Sequence, residues 1–190
     1  EVLFMKITNI YRILTGKDKS IYVEEFYNNI VLLARNKNLY IKGGVPDTLD
    51  GRFELIILHF HFFIKRILLL GPKEKLFAQN LINYMFKDFD RSLREIGVGD
   101  LSVGKKVKFM VSSYYGRINI YEKSLNKNSN IIDSALKNNL YGTTNVNEYE
   151  VKYMKAYINN LIFFLDSLKN NEVLICFKDD INLYKGLSSE

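Results

Sequence analysis

The chain has 190 residues, 47% of them hydrophobic, and a net charge of +6. That length and composition suit one folded domain with a sizeable core and exclude general disorder, while a single cysteine, Cys176, excludes an internal disulfide and fits a reducing compartment. The basic balance suits an anionic partner such as RNA, a ribosome surface or lipid headgroups, without requiring one.

Glu1-Val2-Leu3-Phe4 reads as the remnant of a protease-cleavage linker ahead of a native start at Met5. No secretory pattern follows, because Lys6, Asn9 and Arg12 interrupt the apolar residues. One all-helical domain is expected over 5–190, of about six or seven helices around a buried central helix.

The first helix has Ser20 as its expected cap and Val23, Phe26, Tyr27, Ile30, Val31 and Ala34 as its apolar face, at helical spacing. Asn36 to Gly44 reads as a connector. The second helix is predicted from about Thr48 to Leu70, stopped by Gly71-Pro72. Its apolar run from Leu55 contains His59, His61, Lys65 and Arg66, and it is short of the roughly 20 apolar residues of a membrane span. It is therefore read as the buried central helix.

A third helix follows, with Leu76, Phe77, Leu81, Ile82, Met85, Phe86, Phe89 and Leu93 on one face and Gly97 and Gly99 at its end. The fourth steps by four and three through Val103, Val107, Met110, Tyr114, Ile118, Tyr121 and Leu125. Asn126 to Ser129 is predicted as a loop. Ile131, Ile132, Ala135, Leu136 and Leu140 make a short helix closed by Gly142. The last long helix starts near Asn145, with Glu148 and Glu150 in its first turn, where the helix dipole favours anions. Its face is Val151, Met154, Ile158, Leu161, Leu165 and Leu168. Val173 to Phe177 reads either as a short strand or as a helical tail.

The stretch Gly43 to Phe63 decides between an enzyme and a binding protein. Its acids, arginine, proline and glycines read either as a catalytic loop or as a helix start. In the second reading Pro46 ends the connector, Asp47 or Thr48 caps the helix, Asp50 lies three residues after Asp47, and Arg52 pairs with either acid.

Gly99 to Lys105 matches most of a phosphate-binding loop, but the preceding segment is helical and Lys106 stands where a magnesium-binding hydroxyl belongs. His59 and His61 point about 200° apart on a helix and cannot share one metal. One is expected as a buried, hydrogen-bonded residue and the other as facing a groove. Cys176 reads as a small core residue. Asp88, Asp90 and Glu95, with Lys87, Arg91 and Arg94, read as a solvated face of spaced ion pairs. Lys105, Lys106 and Lys108 sit at a helix N-terminus, where cations are mildly unfavourable. They serve either a partner or plain solubility.

GVPDTLDGRFELIILH (44–59) and DRSLREIGVGDLSVGKKVKFMVSSYYGRINIY (90–121) resemble the ubiquinol–cytochrome c chaperone family, and NNLYG (138–142) resembles a weaker third block. The resemblance implies an all-α assembly factor, not an enzyme, with no cofactor. It implies newly made cytochrome b as client, action at the ribosome exit, and in mitochondrial relatives a small helical partner. It implies no DNA binding and allows peripheral contact with the inner membrane. The short N-terminus points to a bacterial member in the cytoplasm at the inner membrane face, the counterpart of the mitochondrial matrix side.

The signature residues in the first block are Pro46, Asp47, Thr48, Asp50, Gly51, Arg52, Phe53 and His59. In the second they are Arg94, Glu95, Gly97, Gly99, Asp100, Lys105, Tyr115, Gly116 and Arg117. Gly43 stands where the family has leucine, which is expected to loosen the turn. Gly51 and Gly116, inside predicted helices, point to close packing or to a partner's approach. Asp47, Asp50, Arg52, Arg94, Glu95, Asp100 and Arg117 are expected to form one polar cluster beside an apolar cleft.

Overall fold

The computed structural model describes residues 19–126, 129–142 and 144–178. Among them there is no strand. The helices are α1 (Lys19–Ala34), α2 (Lys37–Ile41), α3 (Leu49–Leu68), α4 (Glu74–Glu95), α5 (Asp100–Asn126), α6 (Ser129–Leu136) and α7 (Glu148–Ser167). A π-helical turn, Lys137–Tyr141, prolongs α6, and a 3-10 turn, Val173–Lys178, follows α7. The all-α expectation holds, and the helical reading of Val173 to Phe177 prevails.

Helix α3 is the axis. Every residue from Phe53 to Ile64 is buried, because α1, α4, α5, α7 and the 3-10 turn all pack on it. A helix enclosed on every side loses its amphipathic pattern, which is why its sequence is apolar all round. No helix among the described residues is long and apolar enough to cross a membrane.

The helix start at the opening stretch is the one that the cap reading requires. Thr48 has an extended backbone and its Oγ1 accepts from the Gly51 N–H at 3.1 Å. Asp50 lies in the first turn. Arg52 pairs with Asp47, its Nε 2.6 Å from Oδ1. A Cβ on Gly51 would stand 2.0 Å from the Pro46 carbonyl oxygen, so this glycine lets the connector fold back over the helix start.

Several expectations need correction. The connector contains α2, capped by the Asn36 side chain, and Ser20 lies inside the helical run of α1 instead of capping it. Leu76 faces solvent. Gly43 does not loosen its turn: its N–H donates to the Asn38 carbonyl at 3.0 Å, and a Cβ there would crowd the Leu39 carbonyl and the Met154 sulfur. The expectations on 1–4, on the loop at 127–128, and on the Leu125, Ile131 and Ile132 side chains lie outside the described residues. Gly104 and Lys105 fall within the first turns of α5, so the phosphate-loop pattern is a helix start.

Both histidines are buried in α3, so His61 does not face a groove. His59 Nδ1 donates to the Leu55 carbonyl at 2.7 Å, and Nε2 accepts from the Tyr157 hydroxyl at 2.5 Å, tying α3 to α7. His61 Nε2 lies 3.3 Å from Glu122 of α5 without the alignment of a hydrogen bond. Cys176 is buried, and burial pushes its thiol up to about 12.

Two predictions follow from this packing. Gly51→Ala should cost about 2 kcal/mol through overpacking, whereas Gly116→Ala should gain up to about 1 kcal/mol, because nothing lies within 4 Å of its Cβ position. Equilibrium urea unfolding of both variants distinguishes them. Burial lowers His59 and His61 from 6.5 to about 4. The unfolded chain therefore takes up protons that the native chain refuses. Stability is full above the unfolded value and falls as pH drops through this window, by about 3 kcal/mol for each histidine at its lower end. Urea midpoints at neutral pH and at about pH 5 should show the loss, and His59→Gln should reduce it.

Candidate functional site

The three signature-like blocks converge on one groove of about 620 Å³. The first block supplies Pro46, Thr48, Asp50, Gly51, Phe53 and Glu54 from the start of α3. The second supplies Leu93 from α4, with Lys106, Phe109, Met110, Ser113 and Arg117 from α5. The third supplies Asn138 to Gly142. The Tyr141 hydroxyl donates to the Gly43 carbonyl at 2.6 Å, which fixes the third block against the first.

The groove mixes apolar surface with one built polar wall. Glu54 is buried on α3 and receives the Arg117 guanidinium, whose Nε stands 2.6 Å from both carboxylate oxygens. Burial pushes the Glu54 carboxyl up, and Arg117 pulls it back. Arg117 also donates to the Ser113 carbonyl at 3.3 Å and lies 6.0 Å from the Phe53 ring centre. A carboxylate this deep needs such a partner. Phe109, 72% exposed, forms part of the rim.

The expected single polar cluster is divided into separate groups. Asp47 and Arg52 face a smaller groove of about 390 Å³ with Arg35, Lys37, Tyr40 and Ile41. The Arg52 hydrogen bond holds the Asp47 carboxyl below its usual range. Arg94 pairs with Asp90 and Asp100 across the α4–α5 junction, and Arg91 pairs with Asp88 and Glu95. Only Asp50 and Arg117 of the seven reach the main groove.

The other signature residues have distinct places. His59 is in the core. Gly97, with φ +86, closes α4, and the Gly99 carbonyl accepts from Ser102 and Val103 at the start of α5. Lys105, Tyr115 and Gly116 lie on the exposed side of α5. Gly116 has no neighbour that explains it. Close packing therefore accounts for Gly51 and not for Gly116.

Glu54, Asn138, Asn139 and Tyr141 lie inside the resembling blocks but are not among the signature residues named from sequence. Glu54 had a signal, since a carboxylate at the start of the apolar run of α3 requires a buried partner. The asparagines had only the weaker resemblance of NNLYG. The face of α4 keeps its spaced ion pairs, but Asp88 also accepts from the Tyr27 hydroxyl at 2.9 Å and so ties α1 to α4. No group of three or more His, Cys, Asp or Glu residues that could hold a metal occurs among the described residues.

Known proteins bear on this geometry. The chain is 19% identical over 149 residues to the mouse ubiquinol-cytochrome c reductase complex assembly factor 1, covering 78% of this chain and 50% of that protein. The Xenopus laevis protein of that name is 22% identical over 134 residues, covering 70% and 67%. The chain thus spans about half the length of the mouse relative. The crystal structure of the Cbp3 homolog from Brucella abortus superposes with a TM-score of 0.73 at 30% identity, covering 88% of this chain and 92% of that one. The family described as ubiquinol-cytochrome C chaperone matches residues 42–175, a span that takes in all three blocks lining the groove, and the chain belongs to that family.

Proposed function

We propose that this chain is a non-catalytic chaperone for assembly of the ubiquinol–cytochrome c reductase, and that its groove holds an apolar segment of newly synthesised cytochrome b. The observation that carries this reading is the convergence of the three blocks on one groove. An unpacked membrane helix needs an adaptable apolar surface. Leu49, Phe109 and Met110 supply one over a floor of buried Phe53, Leu93 and Leu140, and a methionine adapts its shape to varied clients. The Glu54–Arg117 pair supplies a fixed wall without offering a free charge.

A reaction is disfavoured by where the reactive groups lie. His59 is sealed in the core between Leu55 and Tyr157, and Lys105 stands on a helix surface with no acid paired to it among the described residues. The reading places the protein at the cytoplasmic face of a bacterial inner membrane, supported by its likeness to the Brucella structure. The ribosome exit and a small helical partner are further proposed contacts, supported by family membership alone.

A photoactivatable crosslinker at Phe109 should capture nascent cytochrome b, and capture should change little with salt. Phe109→Asp should weaken binding of an apolar cytochrome b segment by about tenfold or more, in line with the loss of one aromatic contact. Phe109 is exposed, so folding should persist. Unchanged capture and unchanged complex assembly with this variant would refute the reading.

A further inference from the structure

The end of the α4–α5 hairpin carries a second surface. Leu101 is 94% exposed and Ile96 is 58% exposed, on either side of the Gly97–Gly99 turn. Two exposed aliphatic side chains at one turn are unfavourable in water. Lys105, Lys106 and Lys108 are all exposed one to two turns behind them, Lys106 on the groove side, and among the described residues no acid is paired with any of the three. These cations sit in the N-terminal half of α5, where the helix dipole opposes them. The acids nearest the turn are Glu95 and Asp100, and each already has an arginine, Arg91 and Arg94 respectively. From Leu101 to Tyr121 the helix has no acidic residue at all.

We propose that this hairpin end is a docking site for an anionic lipid surface, with Ile96 and Leu101 entering the interface and Lys105 and Lys108 meeting headgroup phosphates. The spacing fits. Lys105 and Lys108 stand about 6 and 10 Å along the axis from Leu101 at 1.5 Å per residue, and interfacial side chains enter about 5–10 Å. A polynucleotide is the poorer occupant. The tip is aliphatic, the exposed rings Phe109 and Tyr115 lie about 12 and 21 Å along the axis from Leu101, and the cations are lysines instead of the forked arginines that grip phosphates in pairs. A protein partner is also poorer, because lysines are depleted at the centre of protein interfaces. The site stands independently of what the groove holds.

The test is sedimentation of the whole chain with vesicles, comparing phosphatidylcholine alone with an equal mixture of phosphatidylcholine and phosphatidylglycerol. The chain should bind the mixed vesicles and bind them less as salt rises. Ile96→Ser and Leu101→Ser should each weaken binding by about tenfold, and Lys105→Gln with Lys108→Gln by about fivefold per lysine. Thermal melting should be unchanged, since these side chains are exposed. Absent binding to the mixed vesicles overturns the proposal. So does binding that survives the apolar substitutions, which would make the contact purely ionic. Lysine-dependent binding to ribosomes or RNA without vesicle binding, or self-association abolished by Leu101→Ser, also overturns it. A groove variant such as Phe109→Asp that loses the client while the chain still sediments separates this failure from that of the groove.

Discussion

The fold depends on one constraint: a helix with no solvent face that nevertheless carries polar side chains. The buried polar groups of α3 are held by the helices around it, with His61 the exception, 3.3 Å from Glu122 of α5 without the alignment of a hydrogen bond. Glu54 takes Arg117 of α5, and His59 takes Tyr157 of α7. Near the far end Lys65 reaches Glu122 of α5 at 2.8 Å. Arg66 donates to the Leu165 and Leu168 carbonyls, which are free because α7 ends there. Apolar packing permits many rotations of one helix against another. These polar contacts select one, and they do so at both ends of the axis.

That selection shapes the groove. Glu54 and Lys65 hold α5 at two points along α3, and the groove occupies the end at Glu54, where α4, α5 and the π-helical turn diverge from the start of α3. The wall of the groove is thus also a structural joint. Replacing both partners with apolar residues would leave the fold its packing, whereas removing one strands a buried charge. A surface built this way offers side chains for a greasy segment to lie against without competing ion pairs.

The helical skeleton was legible because its signals are local. Val103, Tyr114 and Tyr121 are buried at the spacing read from the sequence, and Asn147 with Glu150 closes a capping box at the start of α7. The misjudged positions turn on neighbours far along the chain. His61 is buried because α5 covers it, and nothing near position 61 says so. Leu76 has the right spacing and lies at the edge of its face, where no helix comes to cover it. The division of one expected polar cluster into separate pairs has the same cause, since charge types are visible in sequence but the turn that separates them is not. The blocks that resemble a known family, read together, pointed to the groove better than any single residue did.

Helix α5 joins the two surfaces. Its buried side carries Val103, Tyr114 and Tyr121, its groove side Met110 and Arg117, and its solvent side Leu101, Lys105 and Tyr115. From Leu101 to Met110 is about 13 Å along the axis. A lipid-seated tip would therefore hold the groove just above the headgroup layer, where a membrane protein's helices first lose water. Gly104 and Gly116 leave the helix backbone bare on its outer side, with none of the described residues within 4 Å of a Cβ at either position. Each costs about 1 kcal/mol relative to alanine. A cost with no internal compensation is what a surface carries when its proper neighbour lies outside the molecule.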